Sequence, residues 1–541
     1  MKPALTRKQG CADRLMRAPV PTLPSGTATL DRAAGHTPTL NSSRALQALA
    51  ILSLLGVIAA CGGSSHSSPE VAPPPTPEIA ETRLSTDVFT NSGSQHATIV
   101  EPSAFAFGST IVSAFQVGRI FGGGAADIGF ATSTNSGTSW THGLLPGTTI
   151  FQGGTFNAIS DPAVAFDSAH GVWMISSLLI GTTGKIAVSR SPDGLHWGNP
   201  IIVSATPDAD KNWIVCDNNA GSPFFGHCYV EWDDPRNNAL IWMSASTDGG
   251  LTWKPALNTA DNATGIGGVP QVQPDGTVVV PILGVAGSML AFVSSDGGAT
   301  WSTSTTIAST IDHQVAANLR TDALPTSAVD ASGTVYVIWQ DCRFRTACPS
   351  NDLVMSTSTD GVAWSAPARI PIDPISSNVD HFLPALGIEP TTAGNNAHLA
   401  LTFYTYPVAN CAASTCALNA NFISSPDGGR SWTAPVLLAG PMTVSWLANT
   451  FAGFMVGDYM STVFSGGRAF PIFISARANS GSRFDEAIFT TSAGLSVGSN
   501  SRAVLRSVNE TAVPGAKPDH PARQHYDLDH EHRIRPPKKK R

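Results

Sequence analysis

Six carboxylates stand at matching places in recurring phrases of this sequence: Glu101, Asp161, Asp210, Asp322, Asp380 and Asp458, each at the entry to an apolar, strand-like run. Arginines recur where the next run ends, as Arg119, Arg236, Arg343 with Arg345, and Arg477. Only 13% of the chain is charged, so charges recurring at fixed places are a candidate site. Gathered carboxylates suit general acid–base chemistry, and guanidiniums beside them suit holding polar groups of a ligand. The same residues also serve structure: Asp before Pro caps a turn, and Asp–Arg pairs tie neighbouring sheets together. In Asp210-Lys211-Asn212-Trp213 a base stands beside an aromatic, as sugar binding would want, although Trp213 can equally pack between sheets. Glu231-Trp232-Asp233-Asp234-Pro235-Arg236 puts three carboxylates in four residues; Ca²⁺ suits such oxygen ligands, and an exposed acidic turn is the plainer reading.

The elements that must position these residues repeat. Asp161-Pro-Ala-Val-Ala-Phe-Asp, then Gly171-Val-Trp-Met-Ile-Ser, has a counterpart in Leu324-Pro-Thr-Ser-Ala-Val-Asp330, then Gly333-Thr-Val-Tyr-Val-Ile-Trp339. The phrase recurs from Glu101, Asp210, Gly268, His381 and Gly457, at a period of roughly 60 residues, which suits four-stranded units. An all-β fold follows: a β-propeller of four-stranded antiparallel blades, seven by this count, with six as the alternative if a terminal unit merges. The last unit has three strands, around Ser461, Phe470 and Ala487. Its fourth is expected from Arg83–Thr90, closing the ring by pairing the chain's two ends and removing exposed sheet edges.

Six turns punctuate the units. They read Ser133-Thr-Asn135-Ser-Gly137-Thr-Ser-Trp140, then Ser191 to Trp197, Ser246 to Trp253, Ser294 to Trp301, Ser358 to Trp364 and Ser425 to Trp432. In each, Asp or Asn can accept backbone N–H bonds, Gly can take a positive φ, and Trp can fold over the hairpin. The copies ending at Trp253, Trp301 and Trp432 match S-x-D-G-G-x-[ST]-W; those at Trp197 and Trp364 are one residue short, and the first has Asn135 for Asp. The pattern resembles the Asp-box, or bacterial neuraminidase repeat, of the sialidase-like β-propeller superfamily. The box stabilises a turn in enzymes and non-enzymes alike, so the resemblance speaks to fold before activity. Lying between the third and fourth strands, the boxes mark the rim opposite the strand entries.

Sialidases hold a substrate carboxylate with three arginines, use a Tyr assisted by a Glu as nucleophile, and use an Asp as acid/base. Their Tyr/Phe-Arg-Ile-Pro phrase should fall at Ile99-Val100-Glu101-Pro102, where Glu101 replaces the arginine, and Gly118-Arg119-Ile120-Phe121 comes too late to supply it. Arg343 and Arg477 are offered by the resemblance as remaining clamps, and Asp458-Tyr459 as the acid and nucleophile neighbourhood, with Asp161 and Asp210 as further catalytic carboxylates. Successive strand residues face opposite sides, so Asp458 and Tyr459 cannot both face a channel if that segment is regular.

The rest of the chain bounds its setting. The 541 residues include 50 Gly and 39 Pro, as many tight turns require. Residues 45–60 form an apolar stretch of signal-peptide length ending Ile58-Ala59-Ala60-Cys61, which resembles a bacterial lipobox with Cys61 as the lipidated residue; ordinary secretion with cleavage nearby is the alternative. Residues 1–60 then form a leader, 61–82 a Gly/Ser/Pro-rich tether, 83–505 the propeller, and 506–541 a disordered, basic-ended tail. Six further cysteines fall in local pairs, and an oxidising compartment favours Cys216–Cys228, Cys342–Cys348 and Cys411–Cys416. Residues 1–60 hold 7 Lys and Arg against 2 Asp and Glu, and residues 506–541 hold 9 against 5, leaving 16 against 32 for 61–505. Such an acidic domain is no nucleic-acid binder. The expectation is a monomeric, extracytoplasmic, membrane-anchored propeller that binds, and as a glycoside hydrolase would cleave, a glycan or surface polymer at its acidic rim. The alternative is a non-catalytic binding or assembly module. No cofactor is expected beyond a structural Ca²⁺.

Overall fold

The computed structural model describes residues 79–498, apart from 182–183 and 205–208, together with 505–506, 510 and 512–513. The leader, Cys61 and most of the tether and tail lie outside the described residues. Helix among the described residues is confined to three one-turn 3-10 segments, Pro235–Asn237, Gly394–Asn396 and Val444–Trp446. The rest is strand and turn.

After β1 (Glu81–Arg83) come β2 (Ile99–Phe107), β3 (Thr110–Arg119), β4 (Ala125–Ser133) and β5 (Thr141–Leu144). A second set follows, β6 (Ala158–Asp167), β7 (Val172–Ile180), β8 (Lys185–Ser191) and β9 (Ile201–Ser204). These two sets form one eight-stranded sheet, because β4 and β6 bond through the single pair Ala125–Ile159. β10 (Asp210–Cys216), β11 (Cys228–Asp234) and β12 (Leu240–Ser246) make a three-stranded sheet. β13 (Gly265–Ile266), β14 (Gln271–Val272), β15 (Val278–Gly284), β16 (Ser288–Ser294) and β17 (Thr305–Ser309) make a five-stranded one. β18 (Thr326–Val329), β19 (Val335–Asp341), β20 (Asp352–Ser358) and β21 (Ala368–Arg369) make a four-stranded sheet. In the next, β22 (Asp380–Ile388), β23 (Leu399–Tyr406) and β24 (Ala417–Ser425) are followed by β25 (Ser431–Trp432), which stands aside, and β26 (Val436–Thr443), which completes the four. β27 (Ala448–Thr450) and β28 (Gly453–Met455) form a ribbon. β29 (Ser461–Ser465), β30 (Arg468–Ser480) and β31 (Arg483–Thr491) form the last sheet with β1, and β32 (Leu505–Arg506) pairs with β25.

The fold is therefore an all-β propeller, with a correction to the expected count of seven or six separate blades. Five sheets of three to five strands stand as separate blades, and the first two sequence units are merged by the Ala125–Ile159 contact. The strand expected at Arg83–Thr90 is shorter and earlier: Glu81, Thr82 and Arg83 pair with Thr491, Thr490 and Phe489. Middle strands such as β4 and β7 are buried along their whole length. Sheets packed on both faces leave no solvent side, which is why these strands read as nearly continuous apolar runs.

The six turns share one hydrogen-bond scheme. Asp248 Oδ1 accepts from the backbone N–H groups of Leu251 and Thr252 at 3.0 and 2.9 Å, and Asp296, Asp360, Asp193, Asp427 and Asn135 act alike. In four turns the indole N–H of Trp140, Trp197, Trp364 or Trp432 donates to the turn glycine carbonyl. Each turn is also seated on strands of the preceding sequence unit. Gly361 lies on Val279 and Val293, Gly194 on Val112 and Thr132, and Gly137, the first, on Phe470 of β30 in the last sheet. A Cβ at Gly137, whose φ is +80°, would sit 2.3 Å from the Phe470 ring, so both the backbone and the contact require glycine. All three expected disulfides are formed: Cys216–Cys228, Cys342–Cys348 and Cys411–Cys416.

Candidate functional site

Register fixes which end of the sheets is which. Ile111 pairs with turn residue Ser133 and Trp173 with turn residue Ser191, while Val100 pairs with Gln116 and Ser160 with Leu178 at the other end. Glu101 and Asp161 thus lie at the end opposite the turns. There the inner strands share a local device. Glu101 (φ 55°), Asp161 (φ 48°), Lys211 (φ 47°) and Leu383 (φ 50°) are all left-handed, and each sits in a register shift of its strand. Such a bulge re-aims one side chain, at a backbone cost of about 1–3 kcal/mol per strained residue. In three of the four strands the re-aimed side chain is charged, and the three charges meet.

Lys211 is the hub. Its ammonium contacts Asp458, and it lies 3.4 Å from Asp161 Oδ1 and 3.5 Å from Glu101 Oε1. Arg320 Nη2 lies 2.5 Å from Asp458 Oδ2. Gln116 Nε2 donates to Glu101 and, at 3.0 Å, to Ser160 Oγ, while the Asp458 backbone N–H donates to Glu101 Oε1 at 3.4 Å. Asp210 accepts from the Lys211 backbone N–H at 3.0 Å, and Asn212 Nδ2 donates to the Asp161 carbonyl at 3.0 Å. Glu101, Asp161, Asp210, Arg320 and Asp458 are all buried, and Lys211 is only 7% exposed.

Burial and charge push these groups apart. Burial raises the Glu101 carboxyl to about 7 against the opposing pull of Lys211. Burial acts on Asp458 the same way, but Arg320 and Lys211 together outweigh it and hold Asp458 well below the usual carboxylate range. For Lys211 burial favours the neutral amine, and Asp161, Asp458 and Glu101 overcome it, keeping the ammonium charged. Burial, then Glu101, Asp161, Asp458 and Asp210, push the Tyr459 phenol far up. Its hydroxyl donates to the Pro162 carbonyl at 3.3 Å and its ring lies 5.7 Å from Lys211 Nζ. A phenol so hard to ionise is a poor nucleophile.

A cavity of about 330 Å³ adjoins the cluster, with Lys211, Asn212, Trp213, Asp458 and Tyr459 in its wall. Trp213 and Tyr459 meet edge to face with ring centres 5.1 Å apart. Both Asp458 and Tyr459 reach this cavity because Gly457, at φ 125°, precedes an irregular stretch rather than a strand.

The other expected site residues stand elsewhere. Arg119 donates to the carbonyls of Ile120 and Gly124 at 2.9 and 2.7 Å. Arg343 pairs with Asp341 two residues before it, Arg236 is exposed on a 3-10 turn, and Arg477 lies over the Phe489 ring. Asp380 accepts from the Asn351 backbone N–H at 2.7 Å. Asp322 is half-buried, two residues after Arg320. Cation duty in the cluster falls instead to Lys211 and Arg320. The acidic run at Glu231 is likewise no exposed turn: Glu231 and Asp233 lie buried on β11, their carboxyls pushed well up by burial. Only Asp234 serves a turn, accepting from the Arg236 N–H at 3.1 Å. Among the described residues, Asp352, Asp373 and His381 bring ligand atoms close enough for one ion, but Arg345 and Arg369 already pair with those carboxylates.

The chain is thus a β-propeller with a buried ion cluster at one end of a central cavity. No family model and no curated protein sequence matches it. Among solved structures it is similar to the Hadza microbial sialidase Hz136, at 15% identity and a TM-score of 0.38, over 70% of this chain and 75% of that one. It is also similar to a PL25 ulvan lyase bound to an oligosaccharide, at 12% identity and a TM-score of 0.43, over 77% and 96%. The NanB sialidase from Streptococcus pneumoniae is similar at 11% identity and a TM-score of 0.37, over 76% and 70%. These likenesses are of shape alone.

Proposed function

We propose that this chain is an extracytoplasmic, sialidase-like propeller, lipid-anchored through Cys61, that binds a glycan at the mouth of its central cavity, at the rim opposite the six turns. One observation carries the reading. Lys211, Asn212 and Asp458 line the wall of a 330 Å³ cavity beside the Trp213–Tyr459 aromatic pair. Cavities of this size suit one small ligand, and a flat aromatic next to charged hydrogen-bonding groups suits a sugar ring. In this reading the six turns are Asp-boxes, the β1–β31 pairing closes the ring, and the protein is a monomer at a membrane surface. Titrating a glycan panel into protein beginning at Gly62 tests it; binding that survives in both Trp213→Ala and Asp458→Asn would sink it.

Glycoside hydrolysis is the second reading, favoured by the two carboxyls whose environments diverge. Burial lifts the Glu101 carboxyl to about 7 while Arg320 and Lys211 hold Asp458 ionised, a divergence of the kind that an acid and its partner carboxylate need. Asp458 reaches the cavity, and Glu101 is bonded behind it. Fluorogenic glycosides turned over by the wild type and not by Asp458→Asn support this reading; no turnover on any of them leaves a binding module.

A further inference from the structure

Below the charged mouth, the cavity wall changes character. Val215 on β10, Ala328 on β18 and Val463 on β29 lie several residues past the strand entries and line the channel beyond the cluster. They are half-buried rather than sealed in the core, as are Val269 and Leu324 nearer the entries. Apolar side chains from four separate segments thus line one shared space. Its 330 Å³ equals about eleven waters at roughly 30 Å³ each. Asn218, Asn219, Gln271 and Thr326 stand among the lining residues, yet apolar residues make up most of the wall, and apolar cavities in proteins take up apolar molecules.

We infer that the ligand is amphiphilic: a glycoside whose apolar alkyl or aryl aglycone enters the channel while its sugar stays at Lys211, Asp458 and Trp213. This rests on the glycan reading for the head group and on the channel wall for the tail. A free polar sugar would leave the deeper wall uncovered. A chain of methylenes would remove it from water, and affinity should climb roughly fourfold with each methylene buried.

Calorimetric titration of 1-butanol, 1-octanol and methyl, octyl and phenyl β-D-glucopyranosides separates the two parts. The expected result is that 1-octanol binds on the order of 100-fold tighter than 1-butanol, four methylenes apart. Ala328→Leu, which fills the channel, and Val463→Asn, which makes it polar, should each weaken 1-octanol at least tenfold. Circular dichroism and thermal unfolding identify which variants are folded. Octanol binding no tighter than butanol, or unchanged in a folded channel variant, overturns the inference and leaves the glycan reading standing. Octanol binding with no sugar from any panel recognised overturns the glycan reading and confines the inference to an apolar ligand. Octyl glucoside above phenyl glucoside indicates an alkyl aglycone; the reverse indicates an aryl one.

Discussion

The ammonium of Lys211 on β10 is bonded to the carboxylate of Asp458, 247 positions later, at the entry to the last sheet. Through the same nitrogen Lys211 reaches Glu101 on β2 and Asp161 on β6, so one cation ties four inner segments around the cavity mouth. Removing one partner of a buried pair strands the other charge, typically at about 3–5 kcal/mol. Lys211→Met is therefore expected to lower the unfolding free energy by about that amount. Equilibrium urea unfolding would measure it, and a loss under about 1 kcal/mol would show that the carboxylates are satisfied without Lys211.

Stability should depend on pH with a defined sign. Glu101 is raised from 4.5 to about 7, Asp127 from 3.8 to about 8 and Glu486 from 4.5 to about 8, each mainly by burial. The folded state holds these protons where the unfolded state has released them. Their contribution is complete below about pH 4 and is lost as pH rises toward 7 to 8. Asp458 is depressed, so its contribution is present above about pH 4 and is lost in acid. Maximum stability is expected at mildly acidic pH. Glu101→Gln should flatten the neutral side by on the order of 3 kcal/mol. Thermal melts from pH 4 to 8 would show it, and parallel curves for wild type and variant would refute the assignment.

The seat of the first turn can be tested by addition of a single methyl. Gly137→Ala places a Cβ against Phe470 on a backbone at φ +80°. A loss of about 1–3 kcal/mol is expected from overpacking and strain together. Phe470→Ala in the same chain should recover part of it. Strict additivity in that double-mutant cycle would mean that the ring and the methyl do not meet.

The disulfides should rank by the loop each closes. Cys216–Cys228 spans 12 residues and Cys411–Cys416 spans 5, so chain entropy gives about 3 and about 2 kcal/mol. Paired Cys→Ser variants compared by calorimetry would check the order.

Much of this was legible in the residues. Recurring apolar runs gave the strands, the Asp and Gly turns gave the hairpins, and local cysteine spacing gave the three bridges. Glu101, Asp161, Asp210 and Asp458 could be read as a group because they recur at the same place in each unit. Lys211 could not, since its reach depends on a bulge at φ 47° that no periodicity signals. Arg320 lay in a loop ahead of its strand, although its place two residues before Asp322 was an available hint. The arginines at strand ends misled because local partners satisfy them, as Asp341 does Arg343. The merging of the first two units turns on one backbone pair, Ala125–Ile159, which leaves no mark in composition.

The pairing of Glu81–Arg83 with Phe489–Thr491 sets an order of events in synthesis. The first strand among the described residues waits for nearly the last, and until residue 491 has emerged the final sheet lacks its outer member. Through that interval the nascent chain carries an open edge, the state most open to capture by other chains.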